Sequence, residues 1–138
     1  MDALLQQLSA NGYKITPQRR LILEMLRENR HASAEDICAM LKQKEPNISL
    51  GTVYRNLALL MRLRIVTAVD FRDGRARYEL NDSHHHHLVC MRCGKLVEFP
   101  GCDLKNVLGD AAEKVNFRVI DHSLEVFGYC GKCCGCSP

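Results

Sequence analysis

Hydrophobic residues in the first half of the chain recur at helical spacing and predict four short helices. Gly12 ends the first of them, and residues 45–47, Glu-Pro-Asn, break the third. The four apolar faces consist of Leu4, Leu5 and Leu8; Leu21, Ile22, Met25 and Leu26; Ile37, Met40 and Leu41; and Val53, Leu57 and Leu60.

Start signals precede three of these helices. Thr16 offers a capping hydroxyl and is followed by Pro17, which suits the first helical position. Ser33 with Asp36 three residues later resembles a capping box, and Ser49 can cap a fourth helix that runs to about residue 61.

A predicted hairpin follows the fourth helix, with strands over residues 65–69 and 76–80. Residues 72–75 between them contain Asp-Gly, a strong hairpin signal. Helices followed by a basic two-stranded hairpin form a winged helix-turn-helix pattern, in which the helix before the wing enters the DNA major groove. The second half predicts a small α/β unit, with strands over residues 96–99 and 118–127 and a helix over about residues 103–115.

Composition narrows the class of protein. The chain has 138 residues, of which 46% are hydrophobic and 25% charged, as in ordinary globular proteins. The longest apolar stretch, residues 57–61, is too short to cross a bilayer, and the N-terminus lacks the pattern of a secretory signal. We therefore expect a cytoplasmic protein, in which paired cysteines indicate metal rather than disulfides.

Charge, histidine and cysteine are unevenly distributed. Residues 1–83 contain 13 Lys and Arg against 10 Asp and Glu, whereas residues 84–138 contain 6 of each class. Five of the six histidines and seven of the eight cysteines lie in residues 84–138. The first half thus suits a polyanion, although this excess alone is weak evidence, and the second half suits metal ions.

Polar residues on the outer side of the fourth helix form the candidate DNA-binding surface. A solvated helix face is the alternative interpretation, but the helix order and the neighbouring arginines favour DNA. The residues of this surface are Thr52, Tyr54, Arg55 and Asn56, with Arg19 and Arg20 and the wing arginines Arg72, Arg75 and Arg77.

Two Cys-x-x-Cys pairs, Cys90 with Cys93 and Cys130 with Cys133, predict a structural zinc site of four thiolates. Cys134 is an alternative to Cys133 as the partner of Cys130, and the spacing favours Cys133. Among the other cysteines, Cys38 fits a buried position in a helix, Cys102 fits either a buried position or an exposed reactive thiol, and Cys134 and Cys136 have no assigned role.

The histidine run at residues 84–87 directly precedes a predicted strand. Alternation along a strand places His85 and His87 on one face and His84 and His86 on the other, an arrangement that can serve two metal sites. A solvated loop that binds metal adventitiously is the alternative. The further donors His31, Glu79, Glu98 and His122 favour true metal sites.

Together these features resemble the ferric uptake regulator (Fur) family of metal-dependent transcription repressors. Four segments in the same order carry the resemblance: residues 12–19 (GYKITPQR), 48–57 (ISLGTVYRNL), 84–95 (HHHHLVCMRCGK) and 122–130 (HSLEVFGYC). The resemblance implies an α+β chain with a winged-helix DNA-binding domain over residues 1–80, a hinge at 81–83 and an α/β dimerisation domain over 84–138.

The resemblance also implies three kinds of site. Structural zinc would bind Cys90, Cys93, Cys130 and Cys133, and a regulatory metal between the domains would bind His31, Glu79, His85, His87 and Glu98. A further site would use His84, His86 and His122; the usual glutamate of that site falls at Lys105, and Asp103 is a candidate substitute. For DNA, the resemblance assigns Lys14 to the minor groove and Tyr54 and Arg55 to the major groove.

The sensed metal follows from the donor set. Three imidazoles and two carboxylates suit Fe²⁺ or Mn²⁺, so we expect iron sensing. The resemblance implies a homodimer, and its symmetry predicts an inverted-repeat operator. Zinc sensing and peroxide sensing stay open as alternatives within the family, because the histidine run also occurs in zinc-sensing relatives and iron-bound histidine can be oxidised. A metalloenzyme is disfavoured because no extra base, nucleophile or phosphate loop is apparent in the sequence. A metal store would leave the polar face of the fourth helix and the basic wing unexplained.

Overall fold

A computed structural model describes residues 2–101 and 104–134 of the chain. The chain divides into two compact units, residues 1–82 and 83–138. Among the described residues, no helix is both long enough and apolar enough to cross a membrane.

The first unit contains four helices and a hairpin, as the hydrophobic pattern predicts. The helices are α1 (Asp2–Ala10), α2 (Pro17–Glu28), α3 (Ala34–Leu41) and α4 (Leu50–Arg62), followed by strands β1 (Val66–Asp70) and β2 (Ala76–Leu80). Thr16, Ser33 and Ser49 cap α2, α3 and α4, and Ser33 and Asp36 form a complete capping box. These elements confirm the winged helix-turn-helix prediction.

A continuous hydrophobic core holds the first unit together. Its buried side chains come from all four helices and both strands, and the inward residues of α4, Val53, Leu57 and Leu60, are almost completely buried. Cys38 is part of this core, as predicted. An isolated bridge between Ala32 and Tyr78 joins the residues before α3 to β2.

The second unit is a three-stranded sheet with one helix. Its elements are β3 (His85–Cys90), β4 (Leu96–Pro100), α5 (Leu104–Glu113) and β5 (Glu125–Gly128), in the sheet order β4-β3-β5. β3 pairs antiparallel with β4 and parallel with β5. The predicted strand over residues 118–127 is wrong for most of its length, because β5 pairs with β3 at only four positions, from Glu125 to Gly128.

Apolar side chains of the second unit are mostly exposed. No residue of α5 is buried. Within α5, Val107 is 65% exposed, and beyond the helix Val115 is 70%, Phe117 67% and Ile120 65% exposed. Over the described residues 83–101 and 104–134, this unit therefore has no hydrophobic core of the kind that holds the first.

Candidate functional site

Four cysteines converge where the turn after β3 meets the chain after β5. The sulfur atoms of Cys90, Cys93, Cys130 and Cys133 all lie within 4.8 Å of one another, and Cys93 Sγ is 3.7 Å from Cys130 Sγ. Gly94, with φ of 76°, allows the tight turn after Cys93, and its amide donates to the Cys90 carbonyl. Two Zn–S bonds at a tetrahedral angle place their sulfurs about 3.8 Å apart, so this group fits zinc.

Backbone amides already favour a thiolate in this group. The amides of Cys93 and Cys130 donate to Cys90 Sγ at 3.5 and 3.4 Å. These bonds lower the pKa of the Cys90 thiol to about 5. The deprotonated thiolate, which these bonds favour, is the form of cysteine that binds metal.

The structure brings Cys133, rather than Cys134, into the four-cysteine group. Cys102 and Cys136 lie outside the described residues. Arg92 was not among the residues predicted from the sequence, yet its Nη1 donates to the Cys133 carbonyl at 2.7 Å and its guanidinium lies over the Tyr129 ring. Arg92 therefore connects the turn that contains Cys93 to the turn that contains Cys133.

The histidine run alternates along β3 as predicted. His85 and His87 lie together, with ring centroids 4.9 Å apart, and His84 and His86 form a separate pair at 4.7 Å. His122 joins the second pair, since its ring lies 4.7 Å from that of His84 and 5.3 Å from that of His86.

The group of His84, His86 and His122 contains a buried, unsatisfied imidazole. His86 is fully buried, and neither of its ring nitrogens has a hydrogen-bond partner within the described part of the chain. Burial lowers the pKa of His86, so its ring is neutral and can act as a metal ligand. Lys105 lines the same cavity as His84 and His122, and Asp103 lies outside the described residues.

Two candidate ligands of the regulatory metal lie in the first unit. His31 Nε2 is 2.5 Å from Glu79 Oε2, and Glu79 is buried on β2. His31 adopts a φ of 66°, a left-handed conformation that costs free energy in a residue other than glycine. The Ala32–Tyr78 bridge follows it directly, so His31 is held next to β2.

Three further candidate ligands lie in the second unit. Glu98 is the cross-strand partner of His87, and the ligand atoms of His85, His87 and Glu98 lie within 4.8 Å of one another. His85 Nδ1 is 3.0 Å from the Ser83 carbonyl. The tautomer that carries its proton on Nδ1 can donate to this carbonyl and leaves Nε2 with the lone pair that a metal requires.

On the first unit, Tyr54 and Arg55 are exposed on α4, as the DNA-binding prediction requires. The Tyr54 hydroxyl donates to Glu35 Oε1 at 3.1 Å, and Arg75 of the wing lies 3.8 Å from the same carboxylate. Glu35 holds the pKa of Tyr54 above its usual value, because the hydroxyl proton is shared with a carboxylate. No sequence spacing indicated that Glu35 would join the helix to the wing.

Other predicted DNA-binding residues make bonds within the protein. Arg55 Nη2 donates to Thr52 Oγ1 at 3.0 Å. Arg19 Nε donates to Asn56 Oδ1 at 3.2 Å, and its Nη1 donates to the Lys14 carbonyl at 2.7 Å. Thr52, Asn56 and Arg19 are half-buried, whereas Lys14 is exposed.

Comparison with known proteins decides the family. The model of the ferric uptake regulator family matches residues 10–127. The chain belongs to the ferric uptake regulator family. It is a metal-responsive transcription regulator of the Fur type, and its winged-helix unit and its cysteine and histidine–glutamate groups fit that class.

Relatives with different named roles are almost equally similar to the chain. The ferric uptake regulation protein of Bacillus subtilis (strain 168) is 40% identical over 141 residues, covering 98% of this chain and 95% of the relative. The peroxide operon regulator of the same organism is 39% identical over 132 residues, covering 94% and 90%. Overall identity therefore does not separate iron sensing from peroxide sensing.

The same fold occurs in a solved Fur structure. The ferric uptake regulator of Helicobacter pylori, described as having three functional metal-binding sites, superposes with a TM-score of 0.75 at 29% identity. The match covers 96% of this chain and 89% of that one.

Proposed function

We propose that the protein is an iron-sensing repressor that binds an inverted-repeat operator as a metal-loaded homodimer. One observation carries the proposal: both compact units contain histidine and glutamate side chains suited to the same metal. His31 and Glu79 lie in the first unit, and His85, His87 and Glu98 lie in the second.

Shared ligation explains how metal could control DNA binding. When bound, a divalent ion supplies Lewis-acid attraction to imidazole nitrogen and carboxylate oxygen at once. If the five side chains share one ion, that attraction selects one orientation of the two units over the others. A shift from 1:99 to 99:1 needs about 5.5 kcal/mol of differential affinity.

The first unit supplies the proposed contacts with DNA. α4 presents Tyr54 and Arg55 to the major groove, the wing presents Arg75, and the segment before α2 presents Lys14. A two-fold symmetric dimer places two such helices on successive half-sites, so the operator should be an inverted repeat. Binding to DNA and a zinc site of reduced thiols both support a cytoplasmic location for this activity.

Two further metal roles complete the proposal. Cys90, Cys93, Cys130 and Cys133 hold structural zinc, which the close approach of their sulfurs supports. His84, His86 and His122 form an additional site, which the unpartnered buried nitrogens of His86 support. Asp103, the candidate for a further ligand of this site, lies outside the described residues.

The donor chemistry supports Fe²⁺ as the regulatory metal. Imidazole and carboxylate ligands suit Fe²⁺ and Mn²⁺, whereas zinc sensors favour sites that contain a thiolate. The similarity to a peroxide operon regulator supports peroxide sensing as the second candidate. In that case, iron loading followed by peroxide would oxidise a histidine ligand and abolish DNA binding.

Gel shifts with anaerobically purified protein test the function as a whole. We expect specific binding to an inverted repeat with Fe²⁺ present and its loss on chelation. Zn²⁺ giving the stronger response would favour the zinc sensor, and loss of binding after peroxide would favour the peroxide sensor. DNA binding that is absent under every metal would contradict the repressor and favour a metal store or metalloenzyme.

A matched pair of variants tests the regulatory site. His87→Ala should reduce operator affinity to the non-specific level and remove its response to Fe²⁺, while one zinc per chain is retained. His86→Ala changes a neighbouring imidazole on the other face of β3 and should have a smaller effect. The reverse order of effects would assign regulation to the group of His84, His86 and His122.

A further inference from the structure

Arg19 joins the segment before α2 to the recognition helix α4. We propose that Arg19 is a positioning residue that holds Lys14 in a defined place relative to α4, rather than a residue that contacts DNA. This inference rests on the proposed DNA-binding function. The observation behind it is that the two bonds of one guanidinium end on residues 14 and 56.

The two bonds use different nitrogens of the guanidinium. Nε donates to Asn56 Oδ1 at 3.2 Å, and Nη1 donates to the Lys14 carbonyl at 2.7 Å. The Arg19 amide also donates to Thr16 Oγ1, the cap of α2, so its backbone is set by the helix start. A planar guanidinium with fixed donor directions therefore sets the distance between the two acceptors.

Asn56 completes the connection on the side of α4. Its Nδ2 donates to the Thr52 carbonyl at 3.0 Å, while its Oδ1 accepts from Arg19. The side-chain amide is thereby held in one orientation by bonds within the protein. Asn56 therefore acts with Arg19 in this connection, because one N–H and one lone pair of its amide are bonded within the protein.

Lys14 lies in a segment that packing alone holds weakly. Its neighbours Tyr13 and Ile15 are 37% and 39% exposed, and Arg19 lies 5.9 Å from the Tyr13 ring centroid. The 2.7 Å bond from Arg19 to the Lys14 carbonyl therefore orders the peptide next to the lysine side chain. A flexible lysine would lose conformational entropy on binding, which lowers its contribution to affinity.

A double-mutant cycle on operator affinity tests the inference. Lys14→Ala should weaken binding about tenfold in the parent and less than about twofold in the Arg19→Ala background, because the lysine is already misplaced there. If Arg19 contacted phosphate independently, the two losses would multiply. Multiplying losses would overturn the proposal.

Two further variants separate geometry from charge. Arg19→Lys keeps the charge but has no fork that reaches both acceptors, so it should reproduce the lost coupling to Lys14. Arg20→Ala removes the same charge from the next residue of α2, which is exposed, and should leave the cost of Lys14→Ala unchanged. Full coupling retained in Arg19→Lys would overturn the proposal.

A measurement without DNA keeps this inference distinct from the proposed function. In the full-length protein, the backbone ¹⁵N order parameter of Lys14 should fall from about 0.85 to below about 0.6 in Arg19→Ala and stay unchanged in Arg20→Ala. If the parent bound no DNA but this difference appeared, the DNA-binding function would fail while the positioning role would stand. An unchanged order parameter in Arg19→Ala would reject the positioning role itself.

Discussion

The two units of this protein bury their side chains in very different ways. In the first unit, buried residues from α1 to β2 form one continuous hydrophobic cluster. In the described part of the second, residues 83–101 and 104–134, the buried side chains are Val89, Cys90, His86 and His87. One unit is held by apolar packing, whereas the few buried groups of the other are mainly metal-ligand types.

This difference indicates separate sources of stability. A unit as small as the second rarely gains enough free energy from its own core, and structural metals or oligomerisation commonly supply the rest. Its thiols lie at zinc-binding distances, and the apolar residues in and after α5 are exposed, as a proposed dimer interface requires. We expect perturbations of metal to act on the second unit and perturbations of packing on the first.

Loss of a zinc ligand should have the largest effect. Cys93→Ser is expected to unfold the second unit and leave the helices of the first intact, because zinc in small thiolate sites contributes on the order of 10 kcal/mol to folding. Zinc content per chain and a two-phase urea transition measure this.

Two control variants accompany the zinc experiment. Cys134 follows Cys133 in the sequence but is not one of the four grouped cysteines, so Cys134→Ser should retain one zinc per chain. This variant also tests which of the two cysteines is the zinc ligand. Cys38→Ala removes a thiol from the first core and should retain zinc as well. A folded Cys93→Ser protein with one zinc per chain would contradict the four-cysteine site.

Removal of a core side chain should have the next largest effect, confined to the first unit. Leu23 is fully buried on α2, so Leu23→Ala should lower the free energy of unfolding of that unit by about 2–5 kcal/mol. Zinc content should not change. Leu21→Ala, at a partly buried position of the same helix, should cost less, and a loss of zinc in Leu23→Ala would show that the units do not fold independently.

Arg55→Ala should affect DNA recognition without affecting either source of stability. If Arg55 contacts a base, discrimination between operator and random DNA should fall by about 1–3 kcal/mol, with zinc content and unfolding unchanged. Competition gel shifts measure the ratio. An equal loss on both DNAs would limit Arg55 to phosphate contact.

Disruption of the capping box of α3 should have the smallest effect of these changes. Asp36→Ala should destabilise the first unit by about 1 kcal/mol, because the Ser33 amide loses its acceptor. Bonds from Ser33 hold the pKa of Asp36 below its usual value of 3.8, aided by the positive charges of Arg75 and Arg77.

The pH dependence of this variant has a defined sign. A lowered carboxyl pKa stabilises the folded protein above the unfolded pKa, and that contribution is lost as the pH falls through the folded pKa. The difference between parent and Asp36→Ala should therefore shrink below about pH 4 in urea unfolding. Neither Asp36→Asn nor Asp36→Ala titrates at this position, so the deficits of both variants relative to the parent should shrink as the pH falls. A deficit that does not change with pH in either variant would contradict the assignment.

Much of the first unit could be predicted because its signals are local. The caps at Thr16, Ser33 and Ser49 act within three residues of themselves, and the hairpin depends on the turn residues between its strands. The predicted strand over residues 118–127 is too long, because apolar residues indicate strand propensity but pairing requires a neighbour. Only residues 125–127 of that stretch pair with β3.

By itself, the sequence determined the order of elements, the alternation of the histidines along β3 and the identity of the candidate metal donors. These depend on helical and strand periods and on ligand chemistry, which near neighbours set. Tertiary structure alone decided that Cys133 joins the sulfur group, that Glu35 bonds Tyr54 and that Arg19 joins Lys14 to Asn56. In each case several side chains of similar chemistry could form the contact, and the path of the folded backbone determines which of them is close enough to do so.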